Sequence, residues 1–535
     1  MKYYIRKRCN LYSVLILAAV FVFVLQTGCT SLPENPDRPK STAITDTATT
    51  KLGQFVAELS ENQGSMSGFS PLGDGLDAFA ARALLANIAE KSIDVQYYIW
   101  HDDDVGKLLS AELIKAAERG VRVRVLIDDI GLGAADEGLI TVDTHPNIEI
   151  RLFNPRINRG WRSLESVFSF IRINRRMHNK SFTVDSQATI VGGRNVGNEY
   201  YSADPDVNFN DFDVLALGPV AREVSISFDK YWNSELAIPV AEIIEPSGRS
   251  VDTVIKNIEE QQDKLRSSPY VQAVKSSNFL SHISNRTLPL YWGKARVLYD
   301  EPEKATGNTE KKENHLLAKM TKLIDDPVKE LIIVSPYFIP GKDGVKDIES
   351  LVDKGVSVKI LTNALSATDV GAVHAGYAKY RIPLLKAKAE LYEAKPDPTF
   401  QEARKKKKKS GYGGSSRSSL HSKVYVFDRR KVFVGSLNLD PRSVDINTEM
   451  GILFENEAFA AIIVDFLEQE LKNIAYELKL HIEDSPDNWE QQQISLIWLE
   501  HLDNEVITYT VDPKTSFWRR FGVGFLGILP IENQL

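Results

Sequence analysis

Two stretches of this chain repeat the same polar residues at the same offsets, 243 positions apart. The first occupies residues 178–195 and the second residues 421–438. The shared residues are His178, Lys180, Asp185 and Asn195 in the first copy, and His421, Lys423, Asp428 and Asn438 in the second. Because the two copies agree in all of these polar residues, we predict that they come together as a single site with two histidines.

The types of these residues favour chemistry on a phosphodiester. An imidazole can act as a nucleophile or as a general acid and base, and two imidazoles can divide those tasks. Lysine and asparagine side chains supply charge and hydrogen bonds to an anionic, oxygen-rich group. One histidine would attack phosphorus to give a phosphohistidine, while the other protonates the leaving oxygen and then deprotonates the incoming alcohol or water. The lysines would neutralise charge in place of a divalent ion, and the sequence has no H-E-x-x-H motif, so we expect neither a metal nor another cofactor.

Each copy has the pattern of a β-hairpin. Residues two apart in a strand share a face, so His178 and Lys180 are expected to point the same way. The aspartate is followed by two polar residues and another apolar run, which predicts a tight turn just after it. The predicted opposite pairs are His178–Asn195, Lys180–Gly193, His421–Asn438 and Lys423–Ser436. Asp185 and Asp428 would then lie near the turns, so we expect them to orient the structure rather than transfer protons.

Similar helix and strand patterns precede both copies. Residues 119–129 parallel residues 354–363, and each segment looks like the end of a helix at a glycine followed by a strand. Residues 91–100 and 330–340 are the matching earlier strands. Helices that alternate with buried strands predict an α/β fold of two domains related by a pseudo-twofold axis. Each domain would have a mostly β-sheet core flanked by helices, with the active site at the interface between the domains.

The length of 535 residues exceeds what one hydrophobic core usually organises. We therefore predict five segments along the chain. They are a signal peptide of the lipoprotein type at 1–28, a polar tether at 29–67, a first domain at 68–245, a connector at 246–295 and a second domain at 296–535.

The N-terminus has the pattern of an export signal. Basic residues between Lys2 and Arg8 precede an apolar run at 11–25, which is short for a membrane span. The run ends in L-Q-T-G-C-T, which resembles the lipid-attachment motif of bacterial lipoproteins, with Cys29 as the modified residue. An uncleaved anchor and simple secretion are the alternatives. We expect the protein in the bacterial cell envelope, anchored to a membrane and facing the periplasm, and Thr30 after the cysteine favours the outer membrane by likeness to known lipoproteins.

The formal net charge of −7 argues against nucleic acid as the main partner. Local charge differs, because Arg172, Arg175 and Arg176 precede the first copy and a basic run at 404–409 precedes the second. These residues are interpreted either as a surface that captures anionic phospholipid or as solvated loops. The apolar tail at 517–530 would either lie in a bilayer interface or pack on the second domain.

The two copies resemble the HKD motifs of the phospholipase D superfamily, written H-x-K-x4-D-x6-G-[GS]-x-N. Segments at 97–103, 192–200, 435–443 and 529–532 are similar to the bacterial cardiolipin synthase branch of that superfamily, and in particular to its class C members. The resemblance extends over residues 68–535.

The resemblance implies an enzyme that transfers phosphatidyl groups between phospholipids at a membrane surface and so makes cardiolipin. Phosphatidylglycerol is the expected substrate, and phosphatidylethanolamine is a second candidate. The alternative is phospholipase D-type hydrolysis of phospholipid or, with less support, of nucleic acid, and an inactive binding protein is a third class. The sequence leaves open whether an accessory protein takes part.

The resemblance also implies roles for individual residues. His178 would be the nucleophile and His421 the acid and base, with the order left open. The residues expected to hold the phosphate oxygens are Lys180, Lys423, Asn195, Asn438 and Ser436. An acidic residue downstream of each histidine would orient its ring. Glu449 is the candidate in the second copy and Asp211 in the first, with Asp213 as the alternative to Asp211.

Overall fold

The computed structural model of the chain describes residues 32, 38–132, 136–157, 159, 170–204, 207–246, 248–307, 311–396, 418–483, 493–502 and 505–535. The predicted signal peptide, the predicted lipid attachment at Cys29 and the basic run at 404–409 lie outside these ranges. No helix within the described ranges is long and apolar enough to cross a membrane.

The first unit is built on a nine-stranded sheet. From one edge to the other its strands are Tyr291–Gly293, Ser67–Leu72, Asp213–Leu217, Ala188–Gly192, Ser181–Val184, Ser92–Ile99, Arg122–Gly131, Ile148–Phe153 and Ala237–Pro239. The sixth, seventh and eighth of these strands are parallel, and all other neighbours are antiparallel.

The second unit repeats this plan in a ten-stranded sheet. Its strands, in spatial order, are Ala295–Tyr299, Met450–Glu455, Lys431–Gly435, Val424–Phe427, Glu330–Val334, Ser357–Asn363, Glu390–Ala394, Ala475–Glu483, Gln493–His501 and Val506–Tyr509. The first seven match the second to eighth strands of the other sheet in chain order and in direction. This repeat confirms the predicted α/β fold of two related, sheet-based domains.

Helices flank both sheets. In the first unit they are Lys51–Ser60, Gly75–Ile88, Asp104–Glu118, Asp136–Val142, Phe170–Ile173 and Pro219–Trp232, followed by Val251–Arg266, Pro269–Lys275 and Asn278–Asn285. In the second unit they are Leu316–Leu323, Gly341–Asp353, Gly371–Ala378, Arg381–Lys386, Pro441–Asp445, Glu457–Ile474 and Phe517–Ile528. Short 3₁₀ helices occupy Asn198–Tyr200, Val240–Glu242, Pro302–Thr306, Lys312–Asn314 and Glu532–Gln534. Gly120 follows the helix Asp104–Glu118 with a φ of 91°, as predicted for a residue that ends a helix in the left-handed conformation.

The two units share an apolar core where they face each other. Phe69 of the first sheet stacks on Phe454 of the second, with ring centroids 4.1 Å apart. Successive residues of a strand face opposite sides, so Val191 lies in this shared core while Ile190 lies in the first unit's own core. The shared core therefore fixes the two hairpins against each other, as an active site at the interface requires.

Residues 38–67, which belong to the predicted tether, pack on the first unit. Leu52 and Val56 of the helix Lys51–Ser60 are buried in its core, and Thr50 caps this helix by accepting a hydrogen bond from the Gly53 N–H. The polar composition of the preceding residues did not predict these contacts. Within the predicted connector at 246–295, Val274 and Phe279 are also buried in the first unit's core.

Candidate active site

Both repeated motifs form hairpins, as predicted, but their register differs by one residue from the predicted one. Val184 pairs with Ala188, and Phe427 pairs with Lys431. The turn includes the aspartate itself, because Asp185 and the next residue have φ values of 50°, and Asp428 and the next residue have values of 53° and 54°. Aspartate tolerates the left-handed conformation that such turns require. The predicted opposite pairs, His178–Asn195, Lys180–Gly193, His421–Asn438 and Lys423–Ser436, are therefore each displaced by one position.

The two turn aspartates bind the start of a neighbouring strand. The Asp185 carboxylate accepts hydrogen bonds from the backbone N–H groups of Glu90, Lys91 and Ser92, at 3.1, 2.8 and 2.8 Å. The Asp428 carboxylate accepts three equivalent bonds, from Val328, Lys329 and Glu330. The hairpin places each aspartate at the end away from its histidine, where its contacts are those of an orienting residue.

Backbone pairing between the units fixes the residues that precede each histidine. The His178 N–H donates to the Thr448 carbonyl at 2.8 Å, next to a parallel bridge between Met177 and Thr448. In the second copy, Ser418–Leu420 pairs in parallel with Asn208–Asn210, and the His421 N–H donates to the Asn210 carbonyl at 2.8 Å. Each motif is thus attached to the other unit immediately beside its histidine.

This pairing brings each histidine against an acid of the other unit. His178 Nδ1 lies 2.9 Å from Glu449 Oε2, and His421 Nδ1 lies 2.5 Å from Asp211 Oδ2. The prediction had the right acids but the wrong partners, since it assigned Asp211 to His178 and Glu449 to His421. The parallel bridges explain the exchange, because they carry residues 448–449 and 210–211 to the opposite motif. Asp213, the alternative to Asp211, instead forms a buried ion pair with Arg82 at 2.8 Å.

With Nδ1 of both rings held by an acid, Nε2 is the nitrogen that each ring can present to a substrate. Burial, followed by the charges of Lys180 and Lys423, holds the pKa of His178 well below its usual value. Burial and Lys423 also lower the pKa of His421, although Asp211 opposes this shift. Both rings are therefore neutral at pH 7 before an anion enters the site.

The two lysines are buried beside the histidines. Lys180 Nζ donates to the carbonyl oxygen of His178 at 2.7 Å, and Lys423 Nζ donates to that of His421. Burial lowers the pKa of Lys180 to about 7 and that of Lys423 to about 8. An ammonium group has three donors, so each lysine can still bind an oxygen of a ligand. An anionic ligand would favour the charged form of both groups.

The predicted phosphate ligands Asn195, Asn438 and Ser436 are all buried near the histidines but differ in their contacts. Asn195 Nδ2 donates to the Tyr200 hydroxyl at 3.0 Å. Asn438 Oδ1 is buried and has no hydrogen-bond partner among the described residues. The Ser436 hydroxyl donates to Glu449 Oε2 at 2.5 Å. Ser436 therefore positions the acid that holds His178, and its role as a phosphate ligand stays a prediction.

Three aromatic residues contact the histidines and were missed as site residues. Tyr98 meets the His178 ring edge-on, with centroids 5.0 Å apart, and Lys180 Nζ lies 5.4 Å from the centre of the same tyrosine ring. Tyr200 and Phe209 contact the His421 ring at 5.4 and 5.5 Å. Tyr98 and Tyr200 lie in segments that carry the family resemblance, which was the available signal, but no spacing rule links them to a histidine.

Two other histidines have different surroundings. His374 is buried between Arg381 and Asp512, at 2.7 and 3.6 Å from its Nε2. His101 pairs with Glu199 at 3.2 Å, and Asp103 is close enough to both for the three to approach a metal ion. The Asp103 oxygens already accept the N–H groups of Gly106 and Asn198, so this cluster is accounted for by the packing of the helix Asp104–Glu118.

Comparisons with known proteins identify the family. A family model described as "Cardiolipin synthase, PLD-like domain" matches residues 84–232 and 320–471. Cardiolipin synthase C of Escherichia coli is 41% identical over 483 residues, which cover 90% of this chain and 99% of that protein. An uncharacterized protein of Helicobacter pylori is 34% identical over 532 residues, covering 97% and 99% of the two chains. Cardiolipin synthase A of Pseudomonas entomophila is 27% identical, covering 79% and 72%.

A solved structure supports the fold. The chain matches the crystal structure of phosphatidylserine synthase of Haemophilus influenzae with a TM-score of 0.53 and 15% identity, over 79% of this chain and 92% of that one. The family model and the 41% identical relative confirm the resemblance drawn from the two motifs. This chain belongs to the cardiolipin synthase family of phospholipase D-like enzymes.

Proposed function

We propose that this enzyme is a membrane-associated phosphatidyltransferase that makes cardiolipin from phospholipids through a phosphohistidine, without a metal ion. The observation that carries the proposal is the exchange of acids between the units, which holds two buried imidazoles by Nδ1 and leaves both Nε2 atoms for the substrate. The names of the relatives, cardiolipin synthases C and A, support phospholipid as the substrate.

In the first step, Nε2 of His178 attacks phosphorus of a phosphatidylglycerol molecule. The phosphate anion of the bound substrate, together with Asp211, favours the doubly protonated form of His421. The P–O bond to the headgroup breaks, and the departing oxygen takes the proton from Nε2 of this charged ring. In the second step, His421 removes the proton from the hydroxyl of a second phospholipid headgroup. That oxygen attacks the phosphohistidine, the P–N bond breaks and His178 is regenerated. Lys180 and Lys423 stabilise the charge on the phosphoryl oxygens in both steps.

The two pairs differ in a way that supports this order. Burial raises the pKa of Glu449 to about 7, so this acid is only partly ionised at neutral pH and stabilises a cationic His178 weakly. Asp211 lies closer to its histidine and opposes the lowering of the pKa of His421. A nucleophile must be neutral and a general acid must carry a proton. His178 therefore suits the first role and His421 the second.

Expression in a cardiolipin-deficient bacterial host, followed by lipid mass spectrometry, tests the proposal. We expect cardiolipin to return with the wild-type chain and to be absent with either His178→Ala or His421→Ala. His282→Ala, which changes an exposed histidine of the helix Asn278–Asn285, is the matched control and should behave as wild type. Phosphatidic acid in place of cardiolipin would favour hydrolysis, and full activity of His178→Ala would exclude the two-histidine mechanism.

We further propose that the chain works as a lipoprotein of the bacterial cell envelope, facing the periplasm and anchored through Cys29. The proposal rests on the basic leader, the apolar run at 11–25 and the L-Q-T-G-C-T motif. Metabolic labelling with a radioactive fatty acid should mark the wild-type chain and not Cys29→Ser. Labelling that persists in Cys29→Ser would contradict attachment at this residue.

A further inference from the structure

The C-terminal helix Phe517–Ile528 has one packed face and one exposed face. The packed face consists of Arg519, Val523 and Gly527, which are four residues apart. These residues lie against residues 368–378, a segment that ends with the helix Gly371–Ala378. Arg519 donates to the Thr368 carbonyl at 2.9 Å, Val523 approaches Gly371, and Gly527 approaches the Ala375 carbonyl. These contacts hold the helix on the second unit, in agreement with the packing alternative for this tail.

The opposite face carries large apolar side chains that the described residues leave exposed. Their exposed fractions are 63% for Phe517, 75% for Trp518, 60% for Phe521, 57% for Phe525 and 81% for Ile528. They recur at helical spacing and cover the side of the helix that points away from Arg519, Val523 and Gly527. Contiguous apolar surface of this kind marks an interaction site, whereas single exposed aromatic residues such as Phe466 do not.

The chemistry of this face fits the interface of an anionic bilayer. Phenylalanine and tryptophan side chains are enriched at the boundary between lipid headgroups and acyl chains. The residues from Phe517 to Pro530 include two basic side chains, Arg519 and Arg520, and no acidic one. Lys514, just before the helix, is paired with Glu500 at 3.1 Å. An isologous contact with a second copy would bring these positive charges together, whereas anionic phospholipid complements them.

The helix is also connected to residues close to the two-histidine site. Its contact Thr368 is followed by Asp369, whose carboxylate accepts hydrogen bonds from the Tyr337 hydroxyl at 2.9 Å. The charge of Asp369 acts on Lys423 within the site. Beyond the helix, the Leu535 carbonyl accepts the Arg442 N–H at 2.7 Å, a few residues after the second motif. The tail thus begins beside the loop that follows the strand Ser357–Asn363 and ends beside Arg442, shortly after the second motif.

We propose that the exposed aromatic face of helix Phe517–Ile528 inserts into the interface of an anionic phospholipid bilayer and holds the entrance of the two-histidine site at the lipid surface. This inference rests on the proposed function for its substrate, but the docking itself is independent of catalysis. The predicted lipid anchor would keep the chain near the membrane, and the helix would set its orientation.

Fluorescence of the full-length chain on vesicles tests the insertion directly. The chain has seven tryptophans, so Trp518 is isolated as the difference between wild type and Trp518→Phe. We expect phosphatidylglycerol vesicles with brominated acyl chains to quench this difference signal, and phosphatidylcholine vesicles to quench it less. Equal, unquenched emission in both kinds of vesicle would overturn the proposal, and the measurement does not depend on turnover.

Activity measurements test the consequence for catalysis. The double variant Trp518→Ser with Phe525→Ser should lose at least fivefold in cardiolipin formation from vesicles and keep wild-type activity on phosphatidylglycerol dispersed in detergent micelles. Phe466→Ser is the matched control, since Phe466 is 54% exposed on another helix of the second unit, Glu457–Ile474, and should change neither rate. An equal loss in micelles would contradict a docking role.

A dimer in light scattering that the double variant abolishes would assign the face to a second copy. Absence of cardiolipin with the wild type in both assays would refute the proposed function and leave the quenching result standing.

Discussion

The two half-sites of this enzyme share a motif but not an environment. At the position fifteen residues after each histidine, the first copy has Gly193 and the second has Ser436. A side-chain carbon at Gly193 would overlap the Asp211 carboxylate, which reaches across to His421. Ser436 instead donates its hydroxyl to Glu449, the partner of His178. Both copies thus keep the histidine and the lysine, while the groups behind them differ and give the two histidines different surroundings, on which the proposed division of tasks rests.

We expect the largest loss of activity when either histidine is replaced, and trapping the covalent intermediate distinguishes the roles of the two residues. His178→Ala should form no phosphohistidine, because the attacking nitrogen is gone. His421→Ala should lose about 10²- to 10⁴-fold in turnover, the usual contribution of a general acid and base. Rapid denaturation in dodecyl sulfate at neutral pH, which preserves the acid-labile P–N bond, after mixing with acyl-labelled phosphatidylglycerol should then recover label on His178. Label on His421 in the His178→Ala variant would reverse the assignment of roles.

The next largest effect is expected when the residues at this divergent position are exchanged, because the two half-sites should lose different amounts of activity. Gly193→Ser is expected to displace Asp211, so that His421 loses its acidic partner, and to cost about 100-fold in activity, the lower end of the contribution of a general acid and base. Ser436→Gly removes one hydrogen bond to an acid that is only partly ionised at neutral pH, worth about 0.5–1.5 kcal/mol, so we expect a loss of about twofold to tenfold. Cardiolipin formation in detergent micelles measures both variants without a contribution from membrane docking. A larger loss in Ser436→Gly than in Gly193→Ser would contradict the comparison.

The sequence allowed both acids to be predicted, but it did not show that each acid binds the histidine of the other motif. Asp211 lies 33 residues after its own motif's histidine and Glu449 lies 28 residues after the other, so these acids fall outside the repeated spacing. Their partners depend on two parallel bridges between units, and no local pattern encodes such a contact. The types and the spacing of the motif residues did predict the family, the repeated sheet and the pairing of a histidine with a lysine in each copy. They could do so because each motif is a local hairpin.

Other differences from the predictions also have local physical causes. The hairpin register shifted because the carboxylates of Asp185 and Asp428 bind a neighbouring strand while their backbones adopt the left-handed turn. Leu52 and Val56 place the helix Lys51–Ser60 in the first core, which the polar residues before it concealed. In both cases a tertiary contact decided the outcome.

The pKa of Glu449 predicts a pH-dependent difference in stability. Burial raises this pKa from an ordinary value of 4.5 to about 7, so the folded state binds a proton that the unfolded state has lost between those pH values. Stability of the wild type should therefore fall as pH rises from about 4.5 to 7. Glu449→Gln removes this contribution, which amounts to at most about 3 kcal/mol. Denaturant unfolding at pH 5 and pH 8 should show the variant gaining relative to wild type at pH 8, while its activity falls.

Asp211→Asn is the matched control for that measurement. It removes the other acid that holds a catalytic histidine, and it should not reproduce the relative gain at pH 8. A gain of the same size in both variants would assign the pH dependence to a shared group and not to Glu449.

The smallest expected effect distinguishes the two turn aspartates. Asp185 is fully buried and Asp428 is partly exposed, although each accepts three backbone hydrogen bonds. A buried unsatisfied donor costs more than one that water can reach. We expect Asp185→Asn to lower the free energy of unfolding by about 2 kcal/mol and Asp428→Asn by about 1 kcal/mol, with cardiolipin formation at low temperature close to wild type in both. Loss of activity without loss of stability in either variant would mean that a turn aspartate acts in the chemistry, and the division between orienting and reacting residues in each motif would have to be redrawn.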